Sequence, residues 1–161
     1  MSQTFLKAIL SMLFALCASS ALAQMPNPYG APINLENAKK AAAAAAAEAR
    51  KNNWNMAIAV TDIAGDLVYF EKNDATQTGS VKVAISKARS AALFKRPTKV
   101  FQDAVAGGAA GLRILGLEGA VPVDGGLPIV IDGKVVGAIG VSGAAGDQDA
   151  QCAKMGVDAL K

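Results

Sequence analysis

Lys87 stands four residues after Val83 and four before Ala91, so at helical spacing its stem would run along an apolar stripe that continues to Phe94. Burial of such an ammonium lowers its pKa and equips it as a base, a Schiff-base amine or a clamp for a carboxylate. The plainer outcome is a lysine that snorkels to water. Arg96, directly before Pro97, could grip a carboxylate through two parallel hydrogen bonds, or serve only as a C-terminal cation favouring a helix dipole. Ser142 and Gly143 open the run Ser142-Gly143-Ala144-Ala145-Gly146, a strand-to-helix turn whose unpaired backbone N–H groups would favour an anion. The run lacks the spacing and the lysine of a phosphate loop. Asp147 and Asp149 add negative charge at the same place, as caps and dipole partners or, more sharply, as a general base or a weak cation site. Cys152 lies three residues after Asp149 and three before Met155, so all three can share a helical face. Two soft sulfur donors on one face could meet a metal or an oxidant, although a lone cysteine on an amphipathic helix more often packs. Tyr69 is a further oxygen donor that, in a strand, would ordinarily pack.

The chain contains no histidine. That absence excludes histidine acid/base relays, Ser-His-Asp catalysis and the commonest zinc and haem ligands. Any chemistry must therefore come from Lys, Arg, Asp, a hydroxyl or sulfur.

The N-terminus reads as an export signal: Lys7, an apolar run from Ala8 to Ala18, then Ala21 and Ala23 before Gln24. That run is shorter than the roughly 20 residues that span a hydrocarbon core, so cleavage after Ala23 and a periplasmic or secreted product are expected. Removing residues 1–23 from the 161 leaves 138, ordinary for one domain with a real core. Cys17 leaves with the signal and Cys152 remains as the single thiol, which excludes an internal disulfide. Charges of both signs are scattered with no basic stripe, which argues against nucleic acid.

These side chains need elements to position them. Residues 24–34 form a Pro-, Gly- and Asn-containing lead that reads as extended or mobile. Asn34 stands as an N-cap before a helix from Leu35 to Lys51, whose Ala41–Ala47 run combines high helix propensity with little bulk. Met56–Asp62 and Leu67–Glu71, separated by Ala64-Gly65-Asp66, read as a hairpin. Ser80 is expected to cap a helix running through Lys95, and Thr98 a shorter one to about Ala106. Leu112–Gly126 has weak periodicity and reads mostly as loop. Asp132-Gly133 between Leu127–Ile131 and Lys134–Val141 specifies a type I′ hairpin, both turn residues taking positive φ. One face of that last strand, Val136, Ala138, Gly140 and Ser142, is nearly bare, so a helix or a flat ligand could approach its backbone. A terminal helix from about Asp147 to Leu160 presents Ala150, Ala153, Val157 and Leu160 as its buried stripe. The order α-β-β-α-α-β-β-α implies an α+β fold with one antiparallel sheet of two hairpins flanked by helices.

Taken together, Val60-Thr61-Asp62 through Gly65, Ile85 to Ala91, Phe94 to Thr98, Gly125 to Gly133, Gly137 to Gly143 and Asp147 to Ala153 resemble the haem-binding family of the GlcG/HbpS type, which includes the C-terminal domain of PduO-like proteins. The resemblance covers residues 35–161 and implies a profilin-like domain that assembles into homo-oligomers, binds haem and in some members reports to a membrane sensor partner. Residues 35–161 are accordingly expected to be one such domain. Its function would be an exported homo-oligomeric binding module for haem or a related carboxylate-bearing ligand. Lys87, Arg96, Ser142, Gly143 and Asp149 are the candidate ligand-binding residues, and Cys152 and Met155 the sulfur atoms that could reach haem iron. The competing reading is an enzyme acting on a small oxo- or hydroxy-acid, with Lys87 and Asp147 as acid/base partners.

Overall fold

The computed structural model describes residues 27–161; the expected signal segment lies outside them. Helix α1 (Leu35–Lys51) is followed by strands β1 (Ala57–Thr61) and β2 (Leu67–Lys72), helices α2 (Gly79–Phe94) and α3 (Lys99–Ala106), and a 3₁₀ helix (Ala109–Gly116). Strands β3 (Gly126–Ile131) and β4 (Lys134–Ser142) then lead into helix α4 (Gly146–Asp158). The strands form one antiparallel sheet in the order β2-β1-β4-β3. The expected element order holds, with the 3₁₀ helix in place of part of the loop read from the sequence.

Turn chemistry sets the hairpins. Asp132 and Gly133 have φ of 49° and 71°, as a type I′ turn demands. In the first hairpin Gly65 takes φ 81° while Asp62 Oδ1 accepts from the N–H groups of Ala64 and Asp66. Asn34 caps α1, its Oδ1 accepting from Asn37 N at 2.8 Å.

The two sheet faces differ in bulk, and the difference dictates how closely each helix approaches. Ile58, Val60, Ile139 and Val141 project toward α1 and α4, which answer with Ala38, Ala41, Ala42, Ala45, Cys152 and Ala153. Large strand residues therefore fill the space that alanine helices leave. On the opposite face Ala57 and Ala59 meet Ala84 and Ala88 of α2, and Ala138 meets Ala91 and Ala92. The bare face of β4 is thus covered by a helix: a Cβ on Gly140 would lie 2.2 Å from Ala84 O and 2.4 Å from Ala88 N.

Three local expectations are corrected, and a fourth, left open between extended and mobile, resolves as extended. Helix α2 begins at Gly79 and ends at Phe94, with Lys95 in the left-handed region. Ser80 does not cap it; its hydroxyl is buried and pairs with Gln77 Nε2 and Ser142 Oγ. Thr98 does not cap α3 through its side chain either, because Oγ1 accepts from Gly126 N at 2.9 Å and ties α3 to the sheet. Finally, the lead is anchored from residue 28 onward. β4 extends past the end of β1, and the backbone around Tyr29 pairs there, with Val135 N donating to Pro28 O and Gly30 N to Val135 O, each at 2.8 Å. Tyr29 adds a hydroxyl donated toward the Ala92 and Leu93 carbonyls at the end of α2.

Candidate functional site

Four of the residues singled out in the sequence converge where β4 turns into α4. Lys87 faces the small-residue side of the sheet, where α2 lies too close for its stem to reach water. It does not snorkel: its side chain is 1 % exposed, and Nζ donates to Val141 O at 3.0 Å and to Asp149 Oδ2 at 2.7 Å. Asp149 in turn accepts from Ala144 N at 3.1 Å and from the Gly143 backbone. Ser142 is buried beside them through its hydroxyl contact with Ser80. Burial pushes the Asp149 carboxyl above the ordinary aspartate value, a shift that Lys87 and the two backbone donors only partly offset. Gly125, at φ 112°, closes the cluster, since a Cβ there would sit 2.9 Å from Lys87 Nζ and 2.8 Å from Asp149 Cβ. The arrangement is an enclosed ion pair that fixes the strand-to-helix turn, the ammonium and the carboxylate each held by partners within the protein.

The remaining candidates lie elsewhere. Asp147 is exposed in the first turn of α4. Cys152 and Met155 do not share an environment: Cys152 is fully buried in the alanine-rich core, and Met155 is exposed on the outer side of α4. The buried stripe of α4 is Asp149, Cys152, Ala153 and Gly156, so Ala150 and Val157 sit at its edge rather than at its centre, and Leu160, expected inside the helix, lies in the turn beyond its end at Asp158. Burial pushes the Cys152 thiol to about 11, with the Glu48 and Asp149 charges adding to the shift. Tyr69 donates its hydroxyl to Glu71 Oε2 at 3.0 Å. Among the described residues, no three acidic or cysteine side chains converge as a metal site.

Arg96 belongs to a different and open surface. Its guanidinium lies 5.9 Å from the centroid of the Phe101 ring, and its Nε donates to Phe94 O. Phe101 itself packs edge-on against Phe94 at 5.2 Å. Around this aromatic pair, α3 and the 3₁₀ helix press together so tightly that a Cβ on Gly111 would overlap Ala104 O. The following loop returns over the end of α2, held by Val121 N to Ser90 Oγ and Asp124 N to Gln102 Oε1. Leu93, Val100, Leu112, Leu115 and Leu117 are all exposed on these elements, Leu115 by 66 %, and Arg113 is exposed among them. Exposed leucine and valine side chains with guanidinium groups on the same elements are of the kind that can hold a flat hydrophobic molecule by its faces and its carboxylates through paired hydrogen bonds. Sequence reading found Arg96 but missed Arg113 and the leucines.

The family described as "Haem degrading protein HbpS-like" matches residues 33–158. Protein GlcG of Escherichia coli strain K12 is 38% identical over 100 residues, which are 62% of this chain and 73% of GlcG. The crystal structure of a double mutant of Streptomyces reticuli HbpS superposes with a TM-score of 0.75 at 30% identity, covering 89% of this chain and 97% of that one. The PduOC:heme complex shares the fold, with a TM-score of 0.73 at 24% identity over 81% of this chain and 96% of that one.

Proposed function

The chain belongs to the HbpS-like family, and from that premise we propose that its mature form is an exported homo-oligomeric module binding haem or a related flat, carboxylate-bearing ligand. The observation that carries the reading is the exposure of Leu93, Val100, Leu112, Leu115 and Leu117 along the end of α2, α3 and the 3₁₀ helix, with Arg96 and Arg113 exposed on the same stretch of chain; we read them as one apolar plate. Its chemistry fits a porphyrin: the leucines suit the macrocycle and the two guanidinium groups suit the propionates. A plate open to solvent on one side also favours a second copy of the chain, so that ligand and partner surface together cover it. The family description and the haem complex of PduOC agree with this choice of ligand.

No histidine is present to hold the iron. Of the two sulfur atoms named above, Cys152 is enclosed and Met155 is exposed on α4, across the sheet from α2, so haem at the leucine surface would be held without either sulfur on its iron. A redox response, if the protein serves a membrane sensor, would run through the bound haem, because the one thiol of the mature chain is buried and held protonated. Export rests on the Lys7, Ala8–Ala18 and Ala21/Ala23 pattern.

Titration of purified residues 24–161 with haemin, followed at the Soret band, is expected to give a saturable shift. Arg96→Gln with Arg113→Gln should weaken it by about tenfold or more, as for loss of charge-assisted hydrogen bonds. No saturable shift, or an unchanged affinity in the double variant, overturns the assignment.

A further inference from the structure

A cavity of about 280 Å³ lies on the other side of the molecule, between the C-terminal turns of α1 and the adjoining ends of β1 and β2. It exists because the buried side of α1 offers only Ala46 and Ala49 there, with Arg50 exposed, while Met56 and Ile58 line it from the strand side. Trp54 forms one wall. The left-handed Asn53 (φ 57°) turns the chain back under the helix, and Trp54 N donates to Ala49 O at 2.9 Å. The indole therefore stands at the cavity, half-buried, as a fixed aromatic face.

The charges at this cavity are unequal. Arg50 and Lys72 contribute two cations and Glu71 one carboxylate, which already accepts the Tyr69 hydroxyl. Among the described residues, neither Arg50 nor Lys72 enters an ion pair. Three of the carbonyls at the end of α1 already accept hydrogen bonds from the chain that follows: Glu48 O and Ala49 O from Asn52 N, Arg50 O from Asn53 N, and Ala49 O also from Trp54 N. What remains is a slot of mixed lining, with a small apolar floor of Ala46, Ala49, Met56 and Ile58, an aromatic wall, and excess positive charge from the exposed Arg50 and Lys72. That combination selects a small planar anion, its ring against the indole and its carboxylate at the guanidinium and ammonium groups. The volume admits one ring and is too small for a macrocycle.

We infer that this cavity is a binding site for a single-ring aromatic carboxylate, separate from the leucine plate in its residues and its ligand. The chain has one tryptophan, so the Trp54 indole N–H gives a single cross-peak that reports the site directly. In the ¹⁵N-labelled mature chain, 4-fluorobenzoate should move that peak saturably, with a dissociation constant of about 1 mM as befits a ligand of so few atoms. The uncharged 4-fluorobenzamide should bind about tenfold more weakly, and Arg50→Gln with Lys72→Gln should weaken the benzoate by about tenfold or more. Lys39→Gln, an exposed cation elsewhere on α1, should leave it unchanged. The inference is overturned if the indole peak does not move up to about 20 mM benzoate, if the amide binds equally well, or if the double variant binds as the wild type does. None of these outcomes depends on haem binding at the plate.

Discussion

Replacing Lys87 by methionine keeps the length and shape of the side chain but removes the ammonium that faces Asp149 at 2.7 Å. The Asp149 side chain is 4 % exposed, so its charge cannot turn to water. It would keep only the Ala144 and Gly143 backbone donors. Removing one partner of a buried pair costs about 3–5 kcal/mol, whereas replacing both by apolar residues is often neutral. With a urea slope of about 2 kcal/mol/M, the midpoint of Lys87→Met should fall by about 2 M, and Lys87→Met with Asp149→Leu should regain most of that loss. The pH dependence has a definite sign. Asp149 titrates above its ordinary value of 3.8, and losing Lys87 raises it further. A carboxyl whose folded pKa is raised destabilises the fold above that pKa and ceases to do so below the unfolded value. The deficit of Lys87→Met should therefore shrink as the pH is lowered toward 4. Urea melts of the single and double variants between pH 4 and 7 test this. A loss below about 1 kcal/mol at pH 7, or a double variant no better than the single, would refute the enclosed ion pair.

Other consequences follow from the close contacts and the core. Gly140→Ala would drive a Cβ into Ala84 O at 2.2 Å, where backbone cannot yield, so a loss of about 3 kcal/mol or failure to fold is expected in thermal melts. Asn34→Ala removes the 2.8 Å cap to Asn37 N and should cost about 1 kcal/mol, with Asn34→Asp close to wild type. Cys152, fully buried and shifted from 9.0 to about 11, should resist a thiol reagent at pH 8 until the protein unfolds. Because its folded pKa is the higher one, its contribution to stability is present below pH 9 and is lost as pH rises toward 11. Comparing wild type with Cys152→Ala over that range reads the effect.

The parts of the fold legible in the sequence are those set by local chemistry. Asn34 before an alanine run, Asp132-Gly133 between apolar segments, and the alternation of small and large residues along β4 each act within a few residues. The misreadings share one cause, long-range pairing. Ser80 and Thr98 look like caps in isolation, yet their hydroxyls engage Ser142 and Gly126 across the fold. The lead, open in sequence between extended and mobile, is extended because β4 outruns β1 and offers it a free edge. At the site, helical spacing alone brought Lys87 to an apolar stripe and Cys152 to the face of Met155. Only the packing of α2 and α1 shows that Lys87 and Cys152 are enclosed while Met155 is exposed. The leucine plate and the Trp54 cavity escaped sequence reading because each is assembled from three or more elements with no periodic signature.

Haemin titration of Leu112→Asp with Leu115→Asp against the wild-type mature chain bears most directly on the leucine plate as the ligand surface. Both leucines are half or more exposed, so the fold should tolerate the change, as circular dichroism would verify. A saturable Soret shift in the wild type that weakens by about a hundredfold in the folded variant is the predicted result. Equal affinity in the two folded proteins would contradict it.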